Sequence, residues 1–427
     1  MKLLLNLLVL FISLFIFVNS LRADSSHVNT TVPALSDNSE AQLLNTPDSL
    51  PKVEEKKKTW YESFAIRGYA QVRYNRFLQT NENLGCEQCD KSWGGDGGFF
   101  FRRIRIIFYG QISKQVYFYI QPDFASTSSA TILNFAQIRD AYFDIGLDSK
   151  NELRIRIGQS KVPYGFENMQ SSQNRLPLDR NDGMNSAVSN ERDIGAFIYW
   201  APTKARELFS NLVRDGLKGS GDYGVVALGA YNGQTANKPE LNKEVHVAAR
   251  VCYPIQIKNQ IIEPAIQAYT GNFVIPKEQI SPGVKTKPDL NYLDQRVAAS
   301  FVLYPKPFGI MMEYNVGIGP EYNKATNAIE EQFLEGGYAT FNYMLRLQKH
   351  ILFPFVRIQY YDGGKKHERD ARSYNVQENE IGIEWQPSKY FEFVAMYTIS
   401  SRRYEDALKP DNSQTGNLLR LQAQVNF

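Results

Sequence analysis

The stretch from Phe99 to Phe124, FFFRRIRIIFYGQISKQVYFYIQPDF, alternates in character with a period of two. Ile104, Ile106, Phe108, Gly110 and Ile112 share one face, and Arg103, Arg105, Tyr109 and Gln111 share the other. Past Ser113 and Lys114 the alternation resumes, with Val116, Phe118, Ile120 and Phe124 set against Gln115, Tyr117, Tyr119, Gln121 and Asp123. A strand sends successive side chains to opposite faces, so this is a hairpin with one apolar and one polar face. A soluble sandwich turns its apolar face inward. A polar face of arginines and tyrosines over two long strands instead fits a wet lumen, and the hairpin reads as part of a transmembrane β-barrel.

The two ends of the chain agree with that reading. Lys2, an apolar run from Leu3 to Val18 and the small residues around Ser20 and Ala23 have the form of a secretory signal over residues 1–23. Cleavage after Ser20 and after Ala23 both fit. An uncleaved anchor is the competing reading, and the run is short for one. At the other end Leu419, Leu421, Ala423, Val425 and Phe427 alternate with Arg420, Gln422, Gln424 and Asn426. This resembles the final strand of bacterial outer-membrane proteins, which typically finishes on an aromatic residue. Between the signal and the first strand, residues 24–61 are rich in Ser, Thr, Asn, Pro and charge, and are expected to form a flexible periplasmic leader.

Composition removes the main rivals. A helical membrane protein needs apolar runs of about 20 residues, and only the N-terminus has one. Aromatics are 13% of the chain while mean hydropathy is −0.38, a combination that suits strands polar on one side. A formal charge of +3 over 427 residues argues against a nucleic-acid partner, whose binding rests on neutralised phosphates.

Alternation places strands near 64–78, 99–112, 115–124, 136–147, 152–160, 193–201, 223–232, 244–256, 260–271, 294–305, 308–318, 334–345, 351–361, 375–386, 390–400 and 416–427. The expected fold is all-β: a 16-stranded antiparallel transmembrane barrel over residues 62–427, of the size that leaves an aqueous channel. Connections after even-numbered strands are mostly short, as at Ser113-Lys114, 148–151 and Lys258-Asn259. Those after odd-numbered strands are long: 79–98, 161–192, 272–293, 319–333 and 401–415. Short periplasmic turns and long extracellular loops are the barrel rule. The connection 202–222 breaks it, with a helix-like piece from Arg206 to Leu217. It reads either as an ordered periplasmic helix or as a slip in the strand count.

Several segments, in this order, resemble the phosphate-selective porin O and P family. They include Phe101-Arg102-Arg103-Ile104-Arg105, Gln121-Pro122-Asp123-Phe124, Arg139-Asp140-Ala141-Tyr142-Phe143, 157–165 (IGQSKVPYG), Glu191-Arg192-Asp193-Ile194-Gly195, Phe353-Pro354-Phe355-Val356-Arg357 and Ile381-Gly382-Ile383-Glu384-Trp385. The resemblance implies an outer-membrane channel, usually a homotrimer, that favours small anionic solutes and needs no cofactor. It also implies that the third long loop folds into the barrel as a constriction. That loop begins Pro163-Tyr164-Gly165 and carries Arg175, Arg180 and Arg192 beside Glu167, Asp179, Asp182 and Glu191. An ordinary surface loop is the plainer reading.

Alternation by itself sends Arg67, Arg73, Arg103, Arg105, Arg154 and Arg156 to the polar face of strands 1, 2 and 5. Arginine keeps its charge and offers a planar fork to phosphate or carboxylate oxygens, and rings of such residues select anions. These arginines are expected to line the pore and bind anions; the bland alternative is that they pair with acids of the wall. Glu378, Glu380, Glu384, Glu313, Asp140 and Asp144 also face inward. Cys86 and Cys89 are too few for a structural zinc site and suit a small disulfide or reactive pair, and Cys252 is left single. Of four histidines only His246 lies well inside a strand, with no serine or acid constellation around it. No metal site and no enzyme is expected. The function that follows is passive diffusion of small hydrophilic solutes, favouring anions such as phosphate, across the bacterial outer membrane. The rivals are a general porin of weak or cation selectivity and a plugged structural or adhesive barrel.

Overall fold

The computed structural model describes residues 60–78, 81, 84, 98–125 and 135–427. The expected signal, nearly all of the leader, and Cys86 and Cys89 lie outside these residues. A 3₁₀ turn at Trp60–Ser63 leads into one continuous antiparallel sheet. Its strands are β1 (Phe64–Phe77), β2 (Gly98–Gln111), β3 (Val116–Asp123), β4 (Gln137–Gly146), β5 (Leu153–Lys161), β6 (Arg192–Trp200), β7 (Val226–Tyr231) and β8 (His246–Cys252, resumed at Ile255–Ile257). They continue as β9 (Gln260–Val274), β10 (Asn291–Leu303), β11 (Phe308–Asn323) and β12 (Ala328–Tyr343, resumed at Leu345–Leu347). The last are β13 (His350–Gly364), β14 (Ser373–Ser388), β15 (Phe391–Glu405) and β16 (Ser413–Asn426).

Each strand pairs with its neighbours in sequence, and β1 pairs with β16 from Tyr69↔Asn426 to Phe77↔Leu418. The sheet therefore closes on itself as a 16-stranded barrel. Closure satisfies every ladder and leaves no edge, which a bilayer requires of strands. The break in β8 falls at Pro254, which has no N–H to give the ladder. The outward face is apolar and solvent-accessible, as at Ile66, Ile157, Ile194, Ile266, Ile358 and Ile381. The inward face carries the buried polar side chains. That is the inverse of a soluble core, and it is the pattern of a lipid-facing barrel.

The later strands outrun the expected boundaries. β9 to β16 are 13 to 16 residues long, whereas about 9–11 tilted residues span a bilayer. The expected long connection at 319–333 shrinks to residues 324–327, and that at 401–415 shrinks to 406–412. The pairing runs on from Gly319↔Gln332 to Asn323↔Ala328. Beyond the lipid the outer face need not be apolar, so the hydropathy signal fades while the hydrogen-bonded ladder continues.

The irregular connection 202–222 holds three-turn helix α3 (Thr203–Arg214), so the strand count does not slip there. The two short helices that precede it in sequence are α1 (Phe166–Met169) and α2 (Asp182–Ala187). The helix α3 starts earlier than its hydropathy suggested, because the Pro202 carbonyl accepts from Ala205 and Arg206. It stops where Gly216 takes φ +70. There the Leu217 N–H bonds the Leu212 carbonyl at 3.0 Å and the Gly216 N–H bonds that of Val213 at 3.1 Å, a Schellman stop. Ala205, Phe209 and Leu212 form its buried face. Leu212 and Leu217 join Phe166, Leu176 and Leu178 in one apolar cluster with Phe353 and Phe355 of β13 and Val394 and Met396 of β15. Protein thus packs against the inner faces of β13 and β15, where the alternation alone suggested only a wet lumen.

Candidate functional site

The inner faces of β1 to β5 carry the six arginines that alternation singles out. Arg67 is exposed, with its guanidinium over the Tyr109 ring. Arg73 donates to Gln422 at 3.1 Å, to the Leu178 carbonyl at 3.1 Å and to Asp179 at 3.4 Å. Arg103 donates to Gln71 at 2.9 Å and makes no ion pair among the described residues. Arg105 binds Asp123 at 2.7 Å and Tyr69 Oη at 2.8 Å. Arg154 binds Asp222 at 2.6 Å, and Arg156 forks onto Asp144 at 2.6 and 2.8 Å while lying over the Tyr142 ring. Four of the six, Arg73, Arg105, Arg154 and Arg156, are thus paired with a carboxylate. The wall is less positive than its arginine content suggests.

The segment 162–191 meets inward side chains from widely separated strands. Tyr164, fully buried beside Pro163, packs edge-on against Tyr269 of β9. Gly165, at φ +84, turns the chain into α1; a side chain there would press on Met184 Sδ. The first two amides of α1, at Phe166 and Glu167, donate to the Glu313 carboxylate of β11. A helix start presents free N–H groups, and a carboxylate is their natural acceptor. Glu167 pairs with Arg357 of β13 at 2.9 Å. Asp179 pairs with Arg420 of β16 and Arg73 of β1, and Asp182 pairs with Lys365 and with Arg402 of β15 at 2.7 Å. Ser172 meets Tyr69 Oη at 2.7 Å, and Ser186 accepts from Arg296 of β10 at 2.7 Å. Arg175 stands 3.9 Å from Glu191, and Arg180 binds it at 3.0 Å.

The inward acids are bonded locally. Glu378 binds Arg402 at 2.7 Å, Glu380 binds Arg357, Glu384 binds Lys218, and Asp140 binds Arg192 at 2.9 Å. Lys218 lies just past α3, and its carbonyl accepts from Gln170 at 2.7 Å, so the connection 202–222 also meets segment 162–191. The sequence reading gives no pore role to Arg296, Arg357, Arg402, Arg420, Lys365 and Lys366, although Arg357 and Arg420 stand in segments named above. The four arginines obey the same alternation, as in Phe355-Val356-Arg357-Ile358-Gln359, and that signal was sufficient to find them. Cys252 is buried with its Sγ 2.8 Å from Arg250, and His246 Nε2 lies 3.1 Å from the Asn272 carbonyl. No cluster of metal-ligating side chains occurs among the described residues.

The sequence profile of phosphate-selective porin O and P matches residues 87–427. The chain belongs to that family. It is an outer-membrane porin, a channel and not an enzyme. Solved structures carry the same fold at low identity. The outer-membrane channel DcaP of Acinetobacter baumannii aligns at 15% identity and TM-score 0.54, over 85% of this chain and 97% of that one. OmpF of Salmonella typhi aligns at 11% and 0.51, over 85% and 97%. An anion-selective porin from Comamonas acidovorans aligns at 8% and 0.50, over 86% and 99%. No curated protein sequence matches the chain.

Proposed function

We propose that this porin passes small hydrophilic anions such as phosphate by passive diffusion, with segment 162–191 as its inward-folded constriction and three copies as its assembly. Residues 1–23 are the cleaved signal and residues 24–61 the periplasmic leader in this reading. The observation that carries it is Arg103. Its side chain is buried, it bonds no carboxylate among the described residues, and the repulsion of Arg102, Arg105 and Arg175 acts on it against the more distant attraction of Asp123. A guanidinium confined among like charges favours an anion as its neighbour. Arg67, Arg73, Arg105, Arg154 and Arg156 extend the positive wall on either side, weakened by Asp179, Asp123, Asp222 and Asp144. The interior apolar cluster joining segment 162–191, residues 212–217, β13 and β15 favours the second reading, a barrel closed to solutes.

Reversal potential across a planar bilayer under a salt gradient tests the proposal, followed by phosphate titrated against chloride current. An anion-sided potential with current blocked by low phosphate is expected. Arg103→Glu with Arg105→Glu is expected to move the potential toward cations. A near-zero or cation-sided potential in the unaltered protein reduces the function to a general porin. Absence of channels favours the closed barrel.

A further inference from the structure

The carboxylate of Glu191 sits in a cage of cations. Arg180 Nε lies 3.0 Å from it, Arg192 Nη1 is hydrogen-bonded to it, and Arg139 Nη2 and Arg175 Nη1 each stand 3.9 Å away. Lys161 also acts on it, holding the Met169 and Gln170 carbonyls of segment 162–191 at 2.9 and 2.7 Å. Among the described residues the one further carboxylate bonded to this group is Asp140, on Arg192. Five cations therefore surround two carboxylates. Glu191, Arg139, Arg175, Arg192 and Lys161 are all buried.

Two details separate this arrangement from an ordinary structural ion pair. Asn190 and Glu191 both adopt left-handed backbone, at φ +59 and +70. Residues other than glycine are strained there and stay only where their surroundings hold them. The cations on Glu191 supply that hold. Secondly, the cage is incompletely used: Arg175 Nε and Nη1 and Arg139 Nε have no hydrogen-bond partner among the described residues. Buried guanidinium nitrogens are normally satisfied, and these belong to the two arginines that stand too far from Glu191 to bond it.

We propose that the cage is a carboxylate-binding subsite of the pore whose resident occupant is the protein's own Glu191, and that a carboxylate solute passes by exchanging with it. This rests on the reading that the interior passes anions. The unused donors of Arg139 and Arg175 receive the incoming oxygens while Glu191 still holds Arg180 and Arg192. The site then never has to stand empty. A planar carboxylate is the fitting solute, because a carboxylate already fills the cage and guanidinium forks match its two oxygens. Glu191 also keeps the subsite weak, since binding within a channel must be loose enough to permit exit.

Chloride current through the full-length protein in planar bilayers, titrated with acetate, tests this. Glu191→Ala is expected to be half-blocked at an acetate concentration at least tenfold lower than the unaltered porin. Adding Arg175→Ala to that variant is expected to restore weak block. Equal half-blocking concentrations in Glu191→Ala and the unaltered protein would overturn the inference. If Glu191→Ala yields no channels, acetate during refolding is expected to restore the folded, heat-modifiable band on gels, and failure to restore it overturns the inference equally. The reversal potential of the unaltered porin, recorded before acetate is added, judges anion preference separately. An anion-sided potential with unchanged block removes the Glu191 subsite and leaves the proposed function standing.

Discussion

Asp182 ties segment 162–191 to Lys365, just past β13, and to β15, and its removal has a calculable effect. Its carboxylate holds Lys365 and, at 2.7 Å, Arg402. It is buried, at 3% exposure. In Asp182→Ala, Arg402 keeps Glu378 at 2.7 Å, whereas Lys365 keeps, among the described residues, only the face of Tyr374. Removing one partner from a buried pair costs about 3–5 kcal/mol. With one of the two cations still paired, about 2–3 kcal/mol is the reasonable share. At about 1.4 kcal/mol per tenfold change, the segment would detach roughly 30- to 150-fold more often. Trypsin reads that frequency, because Arg175 and Arg180 lie in the segment and are protected while it is docked. Where opening and closing outpace cleavage, the cleavage rate follows the open population. Time courses on detergent-solubilised protein, with fragment masses assigning cleavage to Arg175 and Arg180, should show the increase. An unchanged rate with the barrel still heat-modifiable would mean that Asp182 does not hold the segment.

Two further predictions concern the connection 202–222. Leu217→Ala empties part of the apolar cluster shared with Phe353, Phe355, Val394 and Met396; such truncations cost about 2–5 kcal/mol, so the temperature at which the folded gel band disappears should fall. Burial raises the pKa of Asp222, but Arg154 and Arg206 outweigh it and hold the carboxyl at about 2. A group depressed below its unfolded value of about 3.9 stabilises the docked segment above that pH. The contribution is lost as pH falls from about 4 toward about 2. Pepsin cleavage within 202–222 should therefore rise across that window and be high already at pH 4 in Asp222→Asn; a flat profile in both proteins would show that Asp222 does not anchor the segment.

The sequence by itself determined the barrel, its strands and which way each side chain points. A strand between lipid and lumen must alternate, so Arg103-Ile104-Arg105-Ile106 and Leu153-Arg154-Ile155-Arg156-Ile157 state their own facing. The same rule applied to β13, β15 and β16 yields Arg357, Arg402 and Arg420. Strand ends were less legible. Outside the bilayer no apolar outer face is demanded, and the pairing from Gly319↔Gln332 onward left no hydropathy trace. The partners of the inward charges were decided by tertiary structure. Asp222 reaches Arg154 from a connection that the chain pattern marked only as irregular, and Asp182 reaches Lys365 and Arg402 from far along the chain. Alternation fixes the face of a residue but not what stands opposite it, because closing the barrel sets those distances. The cage around Glu191 exists for the same reason: Arg139, Lys161, Arg175, Arg180 and Arg192 come from three strands and a loop. Their net charge acts at one point only once the sheet has closed.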